Sequence, residues 1–248
     1  MISFGTTGLL TLTTRPLETA AAEGGAAAWA ANVLACGRLL AWYCEAFGAS
    51  VLGGVGAGLA PALAAGNALD FDHLDRCAEA IPAGSEGLVA LPHLMGRRTP
   101  TPDPHARGVL FGLTPAHTAA HVYRSLLESF GYAVRQGFDP IRPRTRRVIA
   151  TAGGAASPLW RQIMADILDA PIEYHPRASG ALGIAFLAAY ASGLVGSFEA
   201  IRDDWLADPE LTAPDATTRR CYDDLYRLYC HLDGSLSAAF AMRPSTRV

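Results

Sequence analysis

Hydrophobic positions along the chain fall into two rhythms. Short apolar or β-branched runs bounded by Gly, Thr or Pro predict strands, while longer stretches with apolar residues three and four apart predict helices. Residues 1–4 and 9–14 read as the two strands of a hairpin around Gly5-Thr6-Thr7-Gly8. An Ala-rich helix is expected over 24–47, with Trp29, Val33, Leu39, Leu40 and Tyr43 on its buried face and Gly48 at its end. Residues 51–66 are rich in Gly and Ala and read as irregular, and 70–81 as a helix opened by Asp70. After a turn at 82–85, residues 87–92 predict a buried strand. Pro100, Pro102 and Pro104 keep 96–108 out of regular structure, so this is a long loop.

Thr114 and Pro115 supply an N-cap and a first residue for a helix over 116–137. A strand at 148–151, a Gly153-Gly154 turn and a helix begun by Ser157-Pro158 and reaching Leu168 come next, with a short strand at 171–174. Ser179 opens a helix of very small residues to Ala191, and its Ser179-Gly180-Ala181-Leu182-Gly183 start suits close backbone packing. Residues 202–214 form a polar connector. A last helix spans 216–242 with Tyr222, Leu225, Tyr226, Leu228 and Tyr229 turned inward, and beyond Arg243 the end frays. Without an internal repeat or a strong linker, the whole of 1–248 reads as one α/β domain.

Composition narrows the chemistry. The chain has 248 residues, enough for a substantial core, and half of them are hydrophobic. No apolar run reaches the roughly 18 residues of a membrane span without a charge or several glycines, so a soluble, cytoplasmic protein is expected. A net charge of −3 gives no pull toward nucleic acid or an anionic membrane. Every basic side chain is Arg; without Lys, P-loop lysine and Schiff-base chemistry are excluded.

Cys36, Cys44, Cys77, Cys221 and Cys230 stand at no metal-ligand spacing, and their odd number fits reduced thiols. His117 and His121 are one helical turn apart but lack a third ligand, so they read as surface or cleft-rim residues. Arg142, Arg144, Arg146 and Arg147 read as a solvated loop. No basic region and apolar core marks a signal peptide, and the chain opens directly on a strand.

The candidate chemistry lies in glycine turns. Gly153 and Gly154 follow an apolar strand and precede a helix, where a ligand can approach the backbone without meeting a Cβ. The helix start adds unpaired N–H groups and about half a positive charge. The same grammar serves simple strand-to-helix packing. Gly5-Thr6-Thr7-Gly8 likewise suits either an ordinary hairpin turn or a phosphate grip by amides and hydroxyls.

Several blocks together resemble one family. Leu91-Pro92-His93-Leu94-Met95-Gly96-Arg97-Arg98-Thr99-Pro100, continuing through Asp103, Ala106, Arg107 and Gly108 to Phe111-Gly112-Leu113-Thr114, resembles the C-terminal half of FGGY-family carbohydrate kinases of the xylulokinase-like kind. Gly108, Leu110, Gly112, Leu113, His121, Val122, Ser125, Leu126, Leu127 and Glu128 fit the family's second signature in register. Ala152-Gly153-Gly154-Ala155-Ala156-Ser157 and Gly180-Ala181-Leu182-Gly183 resemble its adenine-site motif and the helix that follows.

The resemblance implies an actin-like ATPase (ribonuclease H-like) fold, a mixed sheet flanked by helices, with ATP and Mg2+ as nucleotide and cation. Carried over by position, Gly5, Thr6, Thr7 and Gly8 would form the second phosphate loop, with Thr6 the candidate hydroxyl contact. Gly112 would sit beside the phosphates, with Thr114 and Ala116 near the helix start, and Gly153, Gly154, Ala155 and Ser157 would line the adenosine pocket. Arg97 departs from the family, where Glu is frequent, and either makes a different loop contact or faces solvent.

The family's first phosphate loop, its sugar-binding residues and the Asp that takes the hydroxyl proton lie in an N-terminal domain that this chain lacks. No catalytic residue is therefore assigned here. The expectation is an ATP-binding half of a sugar kinase, inactive alone, that meets a sugar only with the N-terminal domain and is prone to homo-oligomerise. The alternative is a non-catalytic nucleotide-binding or interaction domain.

Overall fold

The structure is a computed structural model that describes residues 2–4, 8–13, 28–33, 36–51, 71–139, 147–206 and 208–242. In chain order the strands are β1 (Ile2–Phe4), β2 (Gly8–Thr13), β3 (Ala28–Val33), β4 (Val89–Leu91), β5 (Val109–Phe111), β6 (Val148–Thr151), β7 (Ile172–Tyr174) and β8 (Glu210–Thr212). The helices are α1 (Cys36–Val51), α2 (Phe71–Glu79), α3 (Ala119–Phe138), α4 (Pro158–Leu168), α5 (Gly180–Ala191), α6 (Arg219–Ser235) and α7 (Ser237–Ala241).

Six strands form one mixed sheet in the order β3-β2-β1-β6-β7-β8, and β4 and β5 form a separate antiparallel pair. β1 runs antiparallel to β2 but parallel to β6, with Ile2 opposite Ala150 and Ser3 opposite Thr151. β6 is parallel to β7. The C-terminal ends of β1 and β6 therefore emerge side by side on one edge of the sheet, where open α/β sheets place their ligands.

Along β6, Val148 and Ala150 are buried while Ile149 and Thr151 are half-buried, the period-two pattern of a strand with one face on the core. α3 and α4 pack on each other, α3 against β2 and β3 and α4 against β7 and β8. α3 is the centre of the molecule: from His121 to Val134 every residue is buried, including Glu128, Arg124, Ser125 and Ser129. Phe130 meets Trp160 of α4 edge-on at 5.2 Å between ring centroids, and the Tyr43 hydroxyl of α1 donates to the Ala119 carbonyl at 2.7 Å.

Several expectations need correction. Residues 28–33, placed in a long helix, form β3, and α1 starts at Cys36 and passes Gly48 to end at Val51. Six paired residues, from Thr13 opposite Ala28 to Gly8 opposite Val33, outweigh the helix propensity of the alanines. The helix expected from Ala116 starts at Ala119, capped by Thr118. Thr114 to His117 is a separate turn: the Thr114 N–H donates to His117 Nδ1 at 2.9 Å, and the His117 N–H donates to the Thr114 carbonyl at 3.1 Å.

The connector at 202–214 contains an edge strand, β8, antiparallel to β7. Its three residues, Glu210, Leu211 and Thr212, are too few to give an apolar alternation to read, and Leu211 is exposed. The small-residue start of α5 makes no close packing either. A Cβ at Gly180 or Gly183 would meet nothing within 4 Å, and Phe186 is the helix's buried residue, set among Tyr190, Phe198 and Trp205.

The last helix breaks at Leu236 into α6 and α7, with Tyr222 and Tyr229 fully buried. Residues 52–66, 142–146 and 243–248, also read from sequence, lie outside the described residues.

Candidate functional site

The turn that follows β6 is built under strain. Ala152 has φ 72° and ψ 176°, after which Gly153–Ala156 make one 3-10 turn. Open space lies where a Gly153 side chain would be. Ser157 ends the turn and caps α4: its Oγ accepts the Trp160 N–H at 3.0 Å, and Pro158 occupies the first helical position.

Arg161, one turn into α4 and buried, donates to the Ala155 and Ala156 carbonyls at 2.6 and 3.0 Å and to Glu210 of β8 at 2.7 Å. It fixes the turn from behind. Asp75 of α2 stands to its side, accepting the Tyr123 hydroxyl at 2.9 Å and interacting with Ser157. Burial pushes the Asp75 carboxyl above the ordinary range, and the Ser157 and Tyr123 hydrogen bonds pull it back only partly. An open pocket of about 460 Å³ beside these groups is lined by Asp72, Asp75, Arg76, Glu79 and Pro158.

The sequence-predicted residues separate into three groups. Gly153 is exposed and Gly154 and Ser157 are half-buried, whereas the Ala155 methyl is fully buried and can offer a ligand only its backbone. Gly112, Thr114 and Ala116 are exposed on the segment between β5 and α3. Gly112 has φ 90°, and a Cβ there would come within 2.9 Å of the Gly87 carbonyl oxygen, so this position requires glycine. Thr114 Oγ1 accepts the Ala116 N–H at 3.3 Å. Gly5, Thr6 and Thr7 lie outside the described residues; Phe4, which ends β1, pairs with Gly8, which opens β2.

His121 is buried rather than at a rim. Its Nδ1 accepts the Thr118 N–H at 3.1 Å, which leaves Nε2–H to face Glu86 Oε2 at 3.3 Å. His117 plays the same part for Thr114, so Thr-x-x-His occurs twice in tandem as a turn closure. Among the described residues no group of three His, Cys, Asp or Glu side chains could hold a metal ion. Cys44, Cys77, Cys221 and Cys230 are free thiols, and burial pushes Cys44 up to about 11.

Arg97 makes the different contact. Its guanidinium pairs with the Asp233 carboxylate of α6 and donates to the Thr101 carbonyl at 3.0 Å, and His93 Nε2 lies 2.9 Å from the same Asp233. This buried clamp ties the proline-rich loop to α6. Arg161, Asp75 and Asp233 were not assigned from sequence, because each acts through a partner in a distant segment.

A strained glycine turn leading into a capped helix, at the joint ends of two parallel strands of a mixed sheet, defines an α/β domain of the actin-like ATPase class. The family model described as "FGGY family of carbohydrate kinases, C-terminal domain" matches residues 1–192. The chain belongs to that family.

It is 32% identical over 182 residues to the xylulose kinase of Bacillus subtilis (strain 168), covering 67% of this chain and 36% of that protein. It is 32% identical over 171 residues to the gluconokinase of Bacillus licheniformis, covering 67% and 33%. The solved xylulose kinase from Rhodospirillum rubrum superposes with a TM-score of 0.75 at 26% identity, over 97% of this chain and 47% of that one. The chain thus spans about a third of the length of these curated relatives and about half of the solved structure. Among the described residues no helix is long and apolar enough to cross a membrane.

Proposed function

We propose that this chain is the ATP-binding half of a carbohydrate kinase, which passes the ATP γ-phosphate to a sugar hydroxyl when completed by an N-terminal domain. The observation that carries the reading is the adjacency of the β1 and β6 ends. In this reading a nucleotide lies across the joint end of the two strands, along the Gly153-Gly154 turn that follows β6. The fit is supported by the open space at Gly153 and by an eleven-residue helix whose N-terminus, capped by Ser157, lies at the end of the turn.

In this reading the turn takes the adenosine, Ser157 and Arg161 keep its backbone in place, and the Gly112 segment and the Thr6 hydroxyl align the phosphates. Mg2+ comes with the nucleotide and neutralises charge on its phosphates. Phosphoryl transfer depends on positioning two reactants and stabilising charge from both walls of a cleft. This chain supplies one wall, so it has negligible turnover alone. The names of its relatives leave a ketopentose such as xylulose, or gluconate, as the acceptor class.

Sugar-dependent ADP release is the test. The chain alone is expected to give none with xylulose or gluconate, and addition of a separately expressed N-terminal kinase half is expected to restore it. Turnover by the purified chain alone would refute the proposal.

A further inference from the structure

Four consecutive residues have positive φ at 84–87: Gly84 (84°), Ser85 (50°), Glu86 (52°) and Gly87 (88°). Two of them carry side chains, which rarely adopt this conformation unless the surroundings impose it. The surroundings are visible. Glu128 of α3, 1% exposed, accepts the Gly84 N–H at 2.9 Å and the Ser85 hydroxyl at 2.8 Å. It also accepts Arg124 Nε at 3.0 Å and the Tyr222 hydroxyl at 3.1 Å. α6 closes the other side, since a Cβ at Gly84 would fall 2.5 Å from Leu225 Cδ1 and 2.6 Å from Cys221 Sγ. A carboxylate present only to neutralise Arg124 would need neither bond to the turn.

The outer side of this turn bears on the segment between β5 and α3. The Gly87 carbonyl oxygen lies 2.9 Å from where a Gly112 side chain would begin. Glu86 faces Nε2 of His121, whose Nδ1 accepts the Thr118 N–H that opens α3. One left-handed turn therefore touches both ends of 112–118.

We propose that Glu128 is a positioning residue: by locking the left-handed turn 84–87, it fixes where the Gly112 loop and the first turn of α3 stand, and so aligns that segment on the phosphates of a bound nucleotide. This rests on the nucleotide reading of Gly112. Glu128 touches no ligand; its effect passes through Gly84 and Ser85 to the backbone that does. The sequence shows Glu128 only as an acid closing an apolar helical stretch, and the fold gives that acid its task.

The test compares three ligands on the full 248-residue chain: Mg·ATP, Mg·ADP and adenosine, titrated calorimetrically. Ser85→Ala removes one bond to the turn and keeps the Glu128–Arg124 pair, so it should fold as the parent does by circular dichroism. Its ATP and ADP affinities are expected to fall about tenfold, with adenosine affinity within about twofold of the parent. Glu128→Gln, which keeps the shape and one acceptor oxygen, should show the same split, and Glu128→Ala a larger one.

Equal loss for adenosine and ATP would mean that Glu128 only supports the core, and would overturn the inference. Unchanged ATP affinity in folded Ser85→Ala and Glu128→Gln would overturn it as well, leaving the nucleotide reading intact. A folded parent that binds none of the three ligands would remove that reading and this inference with it.

Discussion

Ala152 offers the sharpest test of how the glycine turn is built. Its φ of 72° and ψ of 176° fall in a region occupied almost solely by glycine, and holding another residue there costs about 1–3 kcal/mol. The side chain is exposed, so its methyl group buries nothing that offsets this cost. Ala152→Gly removes the strain but adds freedom to the unfolded chain, worth roughly 0.4–1 kcal/mol in the other direction. The difference is a net stabilisation of about 0.5–2 kcal/mol. For a chain of this length each kcal/mol moves the melting midpoint by about 2–4 °C, so a rise of about 1–8 °C is expected in far-UV circular dichroism.

Gly112→Ala is the converse. It places a Cβ at φ 90° and 2.9 Å from a backbone oxygen, and should lower the midpoint by a comparable amount. An unmoved or lowered midpoint for Ala152→Gly, or shifts of the same sign for both variants, would refute the backbone argument.

Two further outcomes follow from side-chain contacts. Arg97→Ala should cost about 3 kcal/mol in urea unfolding, because it leaves the Asp233 carboxylate buried without its guanidinium partner, facing only His93 and the Gln136 amide. Burial would push the Asp233 carboxyl up, but His93 and Arg97 hold it below the ordinary range. A depressed folded value means that its contribution is fully present above the unfolded value of about 3.9 and is lost as pH falls through the folded one. The stability gap between parent and Asp233→Asn should therefore stay constant from neutral pH to about pH 5 and close only below about pH 4. A gap that closes by pH 6 would contradict the assignment.

The exposed stripe on and after α5, with Ile184 72% and Leu194 83% exposed and Leu187 and Tyr190 between them, should drive self-association. In sedimentation velocity the parent should grow heavier with concentration and Ile184→Glu/Leu187→Glu should not; identical behaviour would place any contact elsewhere.

Much of the fold was legible where the signal is local. β1 with β2, and β6 with its turn and α4, are strand and helix starts written in neighbouring residues: Gly8 after Phe4, Ser157 before Pro158. β3 was not, because six Ala-rich residues become a strand only through their partner β2. The start of α3 differs because Thr114-Pro115 carries the local N-cap and first-residue signal, whereas the cap is formed by Thr118 with His121, which also faces Glu86 35 residues away. β8 has the composition of a loop and is a strand because β7 offers it an edge.

In the candidate site, the glycines are readable as places where a ligand could approach the backbone; at Gly112 the structure gives a packing reason, a Cβ 2.9 Å from the Gly87 carbonyl oxygen, whereas a Cβ at Gly153 would meet nothing within 4 Å. Ala155 was read as pocket lining, yet its methyl belongs to the core. The residues that hold the turn, Arg161 and Asp75, gain meaning only from contacts with Ala155, Glu210 and Ser157. Arg97 is the same case, since its partner Asp233 lies 136 residues away.

Titration of the purified chain with Mg·ATP, followed by calorimetry on the parent and on Gly154→Leu, tests the central claim most directly. Saturable, weak binding that ADP displaces is predicted, together with its loss in Gly154→Leu at unchanged circular dichroism. No saturable binding by the folded parent, or equal affinity in Gly154→Leu, would contradict a nucleotide site at this turn.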